Sequence, residues 1–99
     1  MDCPGFTCFR NQGFSITFSN GWTISVQFGA GHYCQARNSD VLLGGRHSSS
    51  NAEVAILNPS NDFIQPEGFY GDGCVMGWIS PEDVSRLIQW VSSQRGGVE

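Results

Sequence analysis

Between residues 14 and 28 apolar and polar side chains alternate: Phe14, Ile16 and Phe18 interleave with Ser15, Thr17 and Ser19, and Trp22, Ile24, Val26 and Phe28 interleave with Thr23, Ser25 and Gln27. A period of two puts each apolar set on one side of an extended strand, so the pattern predicts an antiparallel hairpin with one buried and one polar face. Parity specifies the turn. Directly opposed residues share a face, and a two-residue Asn-Gly loop would set Phe18 against Thr23 and Ile16 against Ser25. A three-residue connection, Ser19-Asn20-Gly21, with Gly21 in the left-handed region as a G1 bulge, sets Phe18 against Trp22 and Ile16 against Ile24.

Further along, Glu53 to Leu57 reads as a strand, Asn58-Pro59-Ser60-Asn61 as a turn and Asp62 to Gln65 as the returning strand of a second hairpin. Val75 to Ile79 predicts a last short strand, shortened or bent at Gly77. Ser80 is placed to cap a helix that Pro81 opens, with Glu82 and Asp83 at its positive end and Ile79 and Val84 forming a hydrophobic staple. Val84, Leu87, Ile88 and Val91 follow the spacing of one helical face, Trp90 lies at its edge, and Gly96 supplies a stop after Arg95. The expected fold is α+β: an antiparallel four- to five-stranded sheet with one C-terminal helix packed on one face. Residues 1–99 form a single domain in this reading, with 1–12 an N-terminal extension, 38–51 a mobile loop and 80–95 the helix.

Composition narrows the function. The 99 residues carry a net charge of −4, and all five basic residues are arginine. The lack of lysine removes the P-loop lysine, Schiff-base chemistry and a polybasic nucleic-acid surface, so no nucleic-acid polymer is expected as a partner. Nine scattered carboxylates do not make the dense acidic face of a DNA mimic. The first ten residues lack the basic start and apolar run of a secretory signal, and no later run approaches membrane-spanning length, which predicts a cytoplasmic protein with no membrane partner. In a reducing compartment Cys3, Cys8, Cys34 and Cys74 are free thiols or weak candidates for a zinc site, with His32 or His47 as further ligands. No cofactor is expected.

The loop from Phe28 to Arg37 is the first candidate for chemistry. Gly29 and Gly31 at the end of a strand let backbone N–H groups approach an anion, Arg37 can pair with it bidentately, and His32 and Tyr33 lie between them. The structural alternative is that both glycines only turn the chain and Arg37 sits in a surface ion pair. Tyr70 and Asp72 in the glycine-rich stretch from Gly68 to Gly73, and Trp78 just beyond, complete the candidate ligand-binding set. No nucleophile, base and orienting group can be assembled from these residue types, so the chain is read as non-enzymatic.

The run from Gly21 to Cys34, followed by Arg37, Ala52-Glu53-Val54-Ala55 and the close Gly77-Trp78-Ile79-Ser80-Pro81-Glu82-Asp83-Val84, resembles a family of small uncharacterised proteins encoded by bacteriophages. His32 stands where that pattern leads one to expect asparagine. The resemblance implies a phage or prophage origin and action in the bacterial cytoplasm. Together with the loop chemistry it gives the expected function: a binding protein that sequesters a small anionic or nucleotide-type ligand of host defence. The alternatives are an inhibitor that binds a host protein through the polar face of the first hairpin or a sheet edge, and a minor virion or assembly component. A chain this small gains stability by pairing across a two-fold axis, so a homodimer is also expected.

Overall fold

The computed structural model describes residues 4–8, 13–28, 49–69 and 75–95. They form a five-stranded antiparallel sheet in sequence order: β1 (Gly5–Cys8), β2 (Gly13–Thr17), β3 (Thr23–Gln27), β4 (Ala52–Leu57) and β5 (Met76–Ile79). One helix, α1 (Pro81–Ser92), packs across β3 and β4, which gives the α+β architecture that the alternation and the helical stripe predict. The core lies between them. Ile24 and Val26 of β3, Ala52, Val54 and Ile56 of β4, and Met76 and Ile79 of β5 are buried against Leu87 and Val91 of α1. No helix among the described residues is long and apolar enough to cross a membrane.

The first hairpin has the predicted register. Ile16 pairs with Ile24 and Thr17 with Thr23, while Phe18 N–H donates to the Trp22 carbonyl at 2.9 Å. Gly21 takes a φ of 88°, the left-handed conformation that the bulged turn requires. Asn20, at the turn's centre, does more than turn the chain. Its Nδ2 donates to the carbonyls of Val91 at 3.0 Å and Gln94 at 2.9 Å, and its Oδ1 accepts from Trp22 N–H at 3.0 Å. Trp22 Nε1 donates to the Arg95 carbonyl at 2.9 Å, and its ring meets Trp90 edge-on with centroids 5.6 Å apart.

These contacts explain a correction at the helix end. The sequence reading ran α1 to residue 95 with Gly96 as the stop, whereas the helix closes at Ser92, with Ser93 as the cap. A C-terminal glycine serves to satisfy orphan carbonyls. Here the backbone N–H groups of Ser93 and Gln94 do so together with side chains: Asn20 from the hairpin tip on the Val91 carbonyl, Ser92 Oγ on the Gln89 carbonyl, and Ser93 Oγ and Gln94 Nε2 on the Trp90 carbonyl. The helix start matches its signals, with Ser80 Oγ accepting from Asp83 N–H at 3.1 Å.

The second hairpin is also corrected. β4 forms as expected and the Asn58 turn closes, but the return from Asp62 to Gln65 is a single bridge, Leu57 with Phe63, and not a strand. Ile64 N–H takes the Ile56 carbonyl at 2.9 Å, and beyond it the same edge of β4 is occupied by β5. Pro66, which has no N–H to give a ladder, follows two residues later. At the other side of the sheet, β1 pairs with β2 in a stretch to which the pattern assigned no element.

Candidate functional site

Where β3 ends, β4 begins and α1 begins, the described residues line an open cavity of about 240 Å³. Its wall is Val26 and Phe28 from the end of β3, Ser49, Asn51 and Ala52 from the entry to β4, Ile79 from the end of β5, and Pro81 and Val84 from the first turn of α1. Each side is there for a local reason. Val26 and Ala52 occupy the inward parity of their strands, and Ile79 and Val84 are the two halves of the staple across the Ser80 cap. The wall is mainly apolar. Its polar side chains are Ser49, whose Oγ donates to the Asn51 carbonyl at 2.7 Å, and Asn51 itself. Apolar walls with few polar groups characterise small-molecule sites.

The cavity's position relates to the candidate loops. Phe28 and Ser49, the residues on either side of the 29–48 connection, both stand on its wall, so the segment bearing Gly29, Gly31, His32, Tyr33 and Arg37 is tethered to the cavity at each end. These five residues lie outside the described residues, as do Tyr70 and Asp72. Gln27 pairs with Glu53, and Met76 with Val54, so the chain enters the first loop and returns from the second at neighbouring levels along β4.

Trp78 is the one member of the predicted set among the described residues. It does not line the cavity. Met76 and Ile79 both point into the core although they are three residues apart, and the register slips between Ala52 and Val54, so Gly77 and Trp78 together oppose Glu53 in a bulge. The sequence placed the irregularity at Gly77, but the positive φ of 60° belongs to Trp78. A bulky side chain in that region is strained, and this one is 56% exposed on an edge strand.

Of the four candidate metal-ligating cysteines, Cys8 is described, as an exposed free thiol on β1, and Cys3, Cys34 and Cys74 lie outside the described residues. Among the described residues no three His, Cys, Asp or Glu side chains gather as a metal site would require. On the polar face of the first hairpin the hydroxyls hold one another: Thr17 Oγ1 lies 2.9 Å from Thr23 Oγ1, and Gln27 Nε2 donates to Ser25 Oγ at 2.9 Å.

The sequence reading did not place Val26, Ala52, Ile79 or Val84 at a site, because inward-facing apolar positions read as core. Ser49 and Asn51 fell within an apparently featureless serine run. The one available signal was the staple, which marks where strand, cap and helix diverge and a gap can open. Comparison of this chain with protein-family models, with curated proteins and with solved structures found no match.

Proposed function

We propose that this chain is a small non-enzymatic binding domain that takes the apolar ring of a small anionic, nucleotide-type ligand into the cavity between β3, β4, β5 and α1. The observation that carries this reading is the cavity itself, apolar on most of its wall and flanked at both ends by the 29–48 connection. Arg37 and the glycines Gly29 and Gly31, which follow Phe28 along the chain, are the groups to meet the ligand's charge. The resemblance to bacteriophage-encoded proteins supports a phage or prophage origin, with sequestration of a nucleotide-type signal of host defence in the bacterial cytoplasm as the role.

The test is a ¹⁵N–¹H correlation titration with the four common ribonucleoside monophosphates. At least one of them shifts the amides of Val26, Phe28, Ser49, Asn51, Ala52 and Val84; Val84→Trp, which fills the cavity, and Arg37→Ala each abolish the shifts while the folded spectrum persists. Failure of all four nucleotides to move these amides refutes the nucleotide reading.

Trp78 favours a second reading, inhibition of a host protein, because an exposed indole on a strained edge strand is the kind of anchor that interfaces use. In that case Trp78→Ala abolishes partner binding and Val84→Trp leaves it intact.

A further inference from the structure

We propose that the edge of β1, unpaired among the described residues, is the seam of a two-fold homodimer, in which β1 pairs antiparallel with β1 of a second copy, Phe6 opposite Cys8 and Thr7 opposite Thr7. β1 is the outer strand of the sheet and all of its residues are exposed, Phe6 to 80%. Edge strands are commonly blunted by brevity, charge, bulges or proline. Gly5–Cys8 is short, but it carries no charge, bulge or proline, and Pro4 lies just outside.

The hydrogen-bond phase of the sheet selects the register. Phe18 N–H donates to the Trp22 carbonyl, which turns the Phe18 backbone toward β3 and sets the phase of the ladder: Thr17 and Thr23 stand at a non-hydrogen-bonded position, in keeping with the short contact of their hydroxyls, and Ile16 and Ile24 at a hydrogen-bonded one. In β2 the alternate residues Ser15 and Thr17 therefore turn their backbone groups to β1, where they meet Thr7 and Gly5. That leaves the N–H and C=O of Phe6 and Cys8 pointing away from the sheet. A two-fold axis through Thr7 sets Phe6 of each copy against Cys8 of the other as hydrogen-bonded pairs, satisfies every outward group within the strand and keeps Pro4 out of the ladder. Shifting the axis to Phe6 would instead oppose Cys8 to Pro4, which has no N–H to return.

Side chains and charge favour a second copy as the occupant. Phe6 and Cys8 share the helix-side face with Ile16 and Phe14, so the pairing lays the large Phe6 of one copy beside the small Cys8 of the other and extends the row Cys8, Phe14, Val26, Val54, Met76 across the seam. None of the residues in β1, β2 or β3 is charged, so a chain of net charge −4 meets its own copy along a neutral seam. The seam lies at the opposite edge of the sheet from β5 and leaves the cavity open, so this inference stands or falls separately from the ligand reading.

Light scattering after size exclusion, combined with oxidative cross-linking of the full chain, tests it. The protein elutes at twice its monomer mass. Cys8→Pro removes an outward N–H that no strand among the described residues uses, and it raises the dimer dissociation constant roughly tenfold or more while near-ultraviolet circular dichroism of the tryptophans stays unchanged. Thr7→Cys places two sulfurs at a non-hydrogen-bonded pair, about 4.5 Å between Cα atoms, and oxidises to a dimer whose disulfide joins position 7 of the two copies in peptide mapping. A monomeric protein, a folded Cys8→Pro variant with undiminished dimerisation, or a dimer that does not cross-link at position 7 overturns the proposal.

Discussion

Asn20 joins the turn of the first hairpin to the end of the helix with one side chain. The last turn of α1 contains no basic residue to answer the negative end of its dipole, and the Asn20 amide donates there instead. Asn20→Ala therefore costs about 2–4 kcal/mol in urea unfolding, the value of three lost hydrogen bonds. Asn20→Asp is the sharper substitution. It keeps an acceptor for Trp22 N–H but turns a carboxylate toward the helix carbonyls, so it costs more than alanine; equal or smaller loss would show that the contact contributes little. Gly13 and Gly21 make a second contrast at this scale. Gly21→Ala costs about 1–2 kcal/mol through its positive φ, and the added Cβ also presses on the Pro59 ring at 3.2 Å, which must give by a few tenths of an ångström. At Gly13 a Cβ would overlap the Val26 carbonyl within the β2–β3 ladder, so Gly13→Ala costs on the order of 3 kcal/mol or more by the same measurement.

At the scale of elements, legibility followed the length of the pattern. The β2–β3 hairpin was readable to its register because thirteen alternating positions and one parity argument leave a single turn that keeps Phe18, Trp22, Ile16 and Ile24 on one face. The helix start was readable from Ser80 and Pro81, but its end was not, because the group that closes it, Asn20, is distant in sequence. β1 was hidden by brevity and by Cys8, which looks like a metal ligand before it looks like an inward apolar position. In β5 a glycine stood beside the bulge and drew attention from Trp78, whose conformation only β4 and the core could impose. Left-handed geometry costs a non-glycine residue about 1–2 kcal/mol, and asparagine bears it more readily than tryptophan. Trp78→Asn is therefore expected to unfold in urea no earlier than the wild type despite losing an aromatic ring. A loss above about 2 kcal/mol would mean that the indole stabilises the fold and is not held there against it.

For the molecule as a whole, a single-layer sheet covered by one helix leaves places where the cover ends. At one, between the start of α1 and the ends of β3 and β5, lies the cavity; at another, beyond β2, lies the edge of β1, which no other described strand pairs. The glycines and arginine that the sequence proposes as a site lie outside the described residues; the cavity could not be read from the sequence, because Val26, Ala52, Ile79 and Val84 obey the same periodicity as any core residue. A gap is a property of how elements diverge in space, and local sequence does not encode it. If this gap is a binding site, native mass spectrometry of the protein as purified from bacterial cells, run beside the Val84→Trp variant, detects the occupant. The wild type is expected to retain a small molecule of a few hundred daltons, released on denaturation, and the folded variant to lack it; a bare wild type, or equal retention by both, would show that the gap does not bind.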